Sequence, residues 1–150
     1  MPQVANNERS PFTDVITLSA ADLAAIAAGG GTRVVARIPR GGAIELAGIA
    51  TTESFSTTPT GNVSVGIQAT PAKHLLAAVP PATTATAPRF NTGTGFTAGT
   101  GTSTSGLVQA IDQATADTDI ILTVAAGNYS ALTAGKIVLG FRIIDMAKFA

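Results

Sequence analysis

Cysteine is absent from the 150 residues, so neither disulfides nor thiolate metal sites hold this chain together. Tryptophan is absent too, and there is one tyrosine and one histidine, His74. A catalytic triad or a histidine-rich metal centre needs more bases or ligands than that. Charge is scarce: Lys, Arg, Asp and Glu make up 12 % of the chain, roughly half the usual share of about 25 %. Basic and acidic residues balance to a net charge of +0, so no positive field exists to gather nucleic acid or anionic lipid. No apolar run nears the roughly 20 residues of a membrane-spanning helix. The first residues, Met1 to Arg9, lack the apolar core of a signal peptide. Neither nucleic acid nor membrane is expected as a partner, and assembly in a cytoplasm is expected.

Ala, Thr, Gly and Ser stand where charge is missing. A surface of that kind is poorly equipped to stay apart from other proteins, which points to assembly. The length fits one domain with a real core. Residues 1–17 are polar, carry Pro2 and Pro11 and show no period, and are expected to form an extended N-terminal arm anchored by Phe12, Val15 and Ile16. The domain proper is expected over 18–150. Ser19-Ala20-Ala21-Asp22-Leu23-Ala24-Ala25-Ile26-Ala27-Ala28-Gly29 reads as a short helix: Ser19 caps it, Asp22 sits near its positive end, and Gly29-Gly30-Gly31 stops it.

From Thr32 the period changes to two. Strands are expected at Arg33–Ile38, at Ala43–Phe55 with a bulge at Gly48, at Val63–Ala69, at Leu107–Ile111, at Ile120–Val124 and at Lys136–Asp145. The last two read as a hairpin with a long loop. In the final strand Ile137, Leu139, Phe141 and Ile143 share one face. The other face mixes Val138 and Ile144 with Lys136 and Arg142, more apolar than a face turned to plain solvent. It needs cover, either from the short helix or the Thr/Gly-rich loop, or from another subunit. Residues 82–106 are that loop, with Phe90 and Phe96 as its large side chains. Six or seven strands at this spacing predict a mainly β fold, an antiparallel β-sandwich of jelly-roll-like type.

Chemical motifs are weak. Gly93-Thr94-Gly95-Phe96-Thr97-Ala98 has the letters of a dinucleotide-binding loop but no strand and helix around it. Asp112, Asp117 and Asp119 do not match the spacing of a calcium loop. Glu45 and Glu53 read as outward strand positions rather than a hydrolytic pair. Asn62-Val63-Ser64 and Asn128-Tyr129-Ser130 have the form of glycosylation acceptors without a secretion signal. No catalytic residue, cofactor or metal is expected, and an enzyme has no positive support.

One resemblance reaches further. The helical stretch Ser19-Ala20-Ala21-Asp22-Leu23 precedes the strand–proline–glycine–strand run Val35-Ala36-Arg37-Ile38-Pro39-Arg40-Gly41-Gly42-Ala43-Ile44. The alternating strand Val63–Ile67, the segment His74–Val79 and the closing segments Ile120–Val124 and Lys136–Ile144 follow. This order, across most of residues 19–145, resembles the capsid decoration (cement) proteins of tailed double-stranded DNA phages. The loop at 82–106 departs from the pattern. The resemblance implies a β-rich structural virion protein that binds the major capsid protein on the outside of the shell, stabilises it, and forms a homo-oligomer, expected to be a trimer. Arg9, Pro11, Phe12, Phe90, Phe96, Val138 and Ile144 are the candidate interface residues. The competing expectation is a phage tail or fibre module that binds host polysaccharide, against which the lack of tryptophan speaks.

Overall fold

The computed structural model describes residues 12–67, 75–92 and 116–145. Within them lie β1 (Asp14–Ser19), α1 (Ala20–Ala28), β2 (Thr32–Ile38), β3 (Gly42–Glu53), β4 (Val63–Ile67), β5 (Leu76–Val79), β6 (Arg89–Phe90), β7 (Thr118–Val124) and β8 (Lys136–Asp145). A single 3-10 turn spans Tyr129–Ala131. The strands make two four-stranded sheets, ordered β1-β8-β3-β6 and β2-β7-β4-β5, and every pairing is antiparallel. The described residues are therefore mainly β, with one α-helix among them.

Period-two alternation turns one side of each sheet into a common core. From the first sheet come Leu18, Ile44, Ala47, Ile49, Ile137, Leu139 and Phe141; from the second, Ile38, Val63, Val65, Ile67, Ile120, Leu122 and Val124. Ile137, Leu139 and Phe141 are each 0 % exposed, and full burial of such side chains contributes about 1.5–3 kcal/mol apiece. Helix α1 adds Leu23 and Ile26. It starts as the residues predict: Ser19 and Asp22 form a capping box, and Gly29 ends the helix. The Ser19 backbone N–H and hydroxyl both donate to Asp22 Oδ2 at 2.8 Å. These two bonds, the backbone one first, hold the Asp22 carboxyl below its usual value.

Tyr129, 1 % exposed, locks the crossing from β7 to β8 onto the loop before β4. Its hydroxyl donates to the Gly61 carbonyl, and its ring leaves no room for a side chain at Gly61, where a Cβ would meet Cε2 at 2.5 Å. Beside it Asn128 Oδ1 accepts from Thr60 N at 2.9 Å, and Asn128 Nδ2 donates to Thr58 O at 2.9 Å. The amide of this formal glycosylation acceptor is thus engaged inside the fold.

Four expectations are corrected. The arm does not extend to residue 17: Asp14–Ser19 is a strand with unbroken register on β8. Ile16 and Leu18 face the core in alternation, and backbone bonding to β8 supplies what so few apolar side chains do not. Residues 1–11, with Arg9 and Pro11, lie outside the described residues. The loop at 82–106 is structured through residue 92, by hydrogen bonds rather than by burial. Thr83 O accepts from Phe55 N at 2.7 Å, Thr51 O accepts from Thr86 N at 3.1 Å, and Thr51 Oγ1 donates to Ala82 O at 2.9 Å. Residues 93–106, with Phe96, lie outside the description, as does the strand expected at 107–111. The segments at 120–124 and 136–145 are not a hairpin: β7 pairs with β2 and β4, and β8 with β1 and β3. The connection between them is long enough to cross the roughly 10 Å between packed sheets. Finally, β3 bulges at Glu45 and Thr52 rather than at Gly48.

Candidate interaction surface

The outward side of the β1-β8-β3-β6 sheet gathers four of the expected interface residues. Its centre is a glycine pair: Gly48 of β3 lies directly opposite Gly140 of β8. On either side in the same row stand Val15, opposite Gly140, and Phe90, opposite Gly48. Two missing side chains in adjacent strands leave a shallow trough, and two phenyl rings fill it. Phe90 covers Gly48, where a Cβ would meet its Cδ1 at 2.8 Å, and Phe12 covers Gly140, where a Cβ would meet its Cδ1 at 2.7 Å. The rings stack with centroids 6.1 Å apart and planes 24° from parallel, inside the range in which aromatic pairs attract. Glycine in a sheet commonly admits such close approach.

Val138 sits one row along, between Ala50 of β3 and Thr17 of β1, and Ile144 lies opposite Ala43 towards the far end. Both are half-buried. Part of the cover that this face needs is therefore internal: Phe90 comes from the Thr-rich loop and Phe12 from the segment before β1. Phe90 remains 42 % exposed and Val15 56 %, so the cover is incomplete. Thr13 anchors Phe12's neighbourhood, since its N–H donates to Phe141 O at 2.8 Å and its Oγ1 accepts from Ile143 N at 2.9 Å.

The charges of this face are spent within it. Lys136 Nζ meets Glu53 Oε2 at 2.6 Å, and Arg142 Nε meets Glu45 Oε2 at 3.0 Å. Both cations belong to β8 and both anions to β3. The Lys136 ammonium, and then the Gly135 backbone N–H, lower the Glu53 carboxyl below its usual value. Such half-exposed, solvent-screened pairs add little stability; their effect here is to leave an uncharged band between them. The register that pairs these strands could not be read from the sequence, which is why the ion pairs were missed. The signal for the glycine trough was present, as an isolated glycine within each strand, but its partner was not.

Elsewhere the described residues offer little concave chemistry. Two shallow cavities of ≈ 220 Å³ each lie beside α1, below the roughly 300–1,000 Å³ of small-molecule sites. One is lined by Ala24, Ala27, Gly127 and Tyr129, the other by Ser19, Glu53, Leu132 and Lys136. Of the acidic turn, Asp117 accepts from Arg40 N at 2.9 Å and Asp119 pairs with Arg37 Nε at 2.7 Å; this contact raises the Arg37 pKa. Asp112, His74 and Gly93–Ala98 lie outside the described residues. Among the described residues no three His, Asp or Glu side chains gather to hold a metal ion.

Comparison with protein-family models, with curated proteins and with solved structures gave no match.

Proposed function

We propose that this chain is a structural virion protein that binds the outer surface of a tailed-phage capsid and stabilises the shell, working as a homo-oligomer. The resembled family suggests a trimer with the major capsid protein as its partner. The observation that carries the proposal is the outward sheet face. Its charges cancel in two internal pairs, leaving a band of Val15, Phe12, Phe90, Val138 and Ile144 suited to dock on another protein. Weak contacts of that kind, repeated over many copies on a shell, give tight attachment by avidity.

The strand pairing supports a finer reading of the fold as a jelly roll. The pairs nest, β1 with β8, β2 with β7, β3 with β6 and β4 with β5. One long hairpin of eight strands, rolled up on itself, produces that nesting and both sheet orders. Jelly rolls serve viral capsids and lectins alike, so the fold by itself names no function. The exposed ring of Phe90 favours a second reading, a fibre module that stacks a host sugar on that face.

Capsids purified from infected cells separate the two. The first reading expects the chain in many copies on the shell, with density at regular surface positions in electron micrographs, and a Phe90→Asp/Val138→Asp variant that no longer attaches. Absence from purified shells, or low copy number at the tail with binding to host polysaccharide, overturns it in favour of the second.

A further inference from the structure

The sheet edges of the described fold are guarded unequally. β5 has four residues and β6 two. β2 is longer, but it carries Arg33 and Arg37 and shifts register at Val35. Shortness, charge and bulges are the means by which soluble sheets discourage pairing with other chains. β1 has the least of them. Its six residues keep unbroken register on β8 from Asp14–Phe141 to Ser19–Lys136. It contains no Lys, Arg, Pro or Gly, and its one charge, Asp14, is at its end.

The direction of its peptide groups follows from the neighbouring bonds. Ala47 bonds to Asn91 through both its N–H and its carbonyl, on the β6 side. By alternation Gly48 turns towards β8 and Gly140 towards β3, so Leu139 and Phe141 turn towards β1. The bond from Thr13 N to Phe141 O fits this, as does the bond from Ala20 N to Gly135 O at 3.0 Å. On β1, Asp14, Ile16 and Leu18 therefore bond to β8, and the peptide groups of Val15 and Thr17 aim away from it. No described strand lies on that side. Val15 is 56 % exposed, above Val34 at 52 % and Phe90 at 42 %, and Ile16 is left half-buried at the core's rim.

We propose that this edge is a contact between two copies of the chain, in which β1 pairs antiparallel with the β1 of a second copy about a two-fold axis at Ile16. Val15 then lies opposite the partner's Thr17, and the two such pairs form about four backbone bonds. Ile16 meets the partner's Ile16 on the core side, completing its burial. Asp14 falls opposite the partner's Leu18, so the strand's one charge never faces itself, and a net charge of +0 adds no long-range repulsion. The contact is isologous and closes at two copies, so it makes a dimer in place of the trimer that the resembled family suggests. It joins two four-stranded sheets edge to edge and runs the Val15–Phe12–Phe90 band across both. The inference does not depend on capsid binding.

Sedimentation equilibrium of the purified chain tests it. The wild type is expected at twice its 14.9 kDa mass. Val15→Lys/Thr17→Lys places like charges across the strand pair, and Val15→Glu/Thr17→Glu does the same with the opposite sign; each variant is expected as a monomer with an unchanged circular dichroism spectrum. An equimolar mixture of the two is expected to recover the dimer, which loss of folding alone does not produce. In the wild type, amide exchange of Val15 and Thr17 is expected to slow as concentration rises, a readout that needs no variant. A monomer at the highest soluble concentration, an oligomer that both variants preserve, or concentration-independent exchange at Val15 and Thr17 overturns the proposal. Capsid attachment of Phe90→Asp, on β6 at the opposite edge of the sheet, reads the function separately: attachment loss with the dimer intact touches the docking face and not this contact.

Discussion

Replacing Tyr129 by phenylalanine removes one oxygen from a buried aromatic contact and nothing else. The ring keeps its packing against Gly61, so no cavity opens. What is lost is the bond to the Gly61 carbonyl, in a residue 1 % exposed. The net value of such a bond is about 1 kcal/mol, and a buried carbonyl left without its donor costs about 1–3 kcal/mol. The expected destabilisation is therefore about 1–3 kcal/mol in a urea titration, and a melting point lower by about 2–12 °C for a chain of this size. The same residue makes a prediction about alkali. Burial pushes the Tyr129 pKa up from 10.0 to about 12. A raised folded pKa means that this contribution is fully present below pH 10.0 and is lost as pH rises towards 12. Wild type and variant should thus differ most below pH 10.0 and converge towards pH 12. Because the chain has one tyrosine and no tryptophan, phenolate absorbance reports this residue alone. A phenol that titrates near 10.0 in the folded protein, or a variant as stable as the wild type, refutes the reasoning.

Three further outcomes follow from the same geometry. Phe141→Ala truncates a ring that is 0 % exposed and should cost about 3–5 kcal/mol in denaturant; a change near zero would mean that the faces of β8 are reversed. A double-mutant cycle of Phe12→Ala and Phe90→Ala should give a coupling of about 0.5–1.5 kcal/mol, and strictly additive single variants would show that the rings do not meet over the glycine pair. Ser19→Ala opens the capping box and should cost about 1 kcal/mol at neutral pH. The depressed Asp22 carboxyl contributes above its unfolded value of 3.8 and loses that contribution as pH falls through its folded pKa. Ser19→Ala keeps the backbone bond to Asp22, so the acid-side loss should vanish only in Asp22→Asn, and an unchanged acid limb in that variant would count against the cap.

Local rules determined the helix and most strand segments. Ser19, Asp22 and the glycines at 29–31 specify α1 through contacts within a few residues, and the alternation Ile137–Leu139–Phe141 specifies a strand and its core face without reference to any partner. Composition, likewise a property of the chain itself, left the outward sheet face short of charge. Partner choice was another matter. Whether β7 pairs with β8 or crosses to the other sheet depends on backbone bonds between segments far apart in sequence, and period-two patterns on both strands are satisfied either way. β1 was unreadable for the same reason: two core-facing residues make a strand only when β8 is there to bond them. The candidate surface was legible as a list, since Phe12, Phe90, Val138 and Ile144 were singled out as anchors. Only the register that sets Gly48 opposite Gly140 decided that Phe12 and Phe90 close over that gap inside one chain.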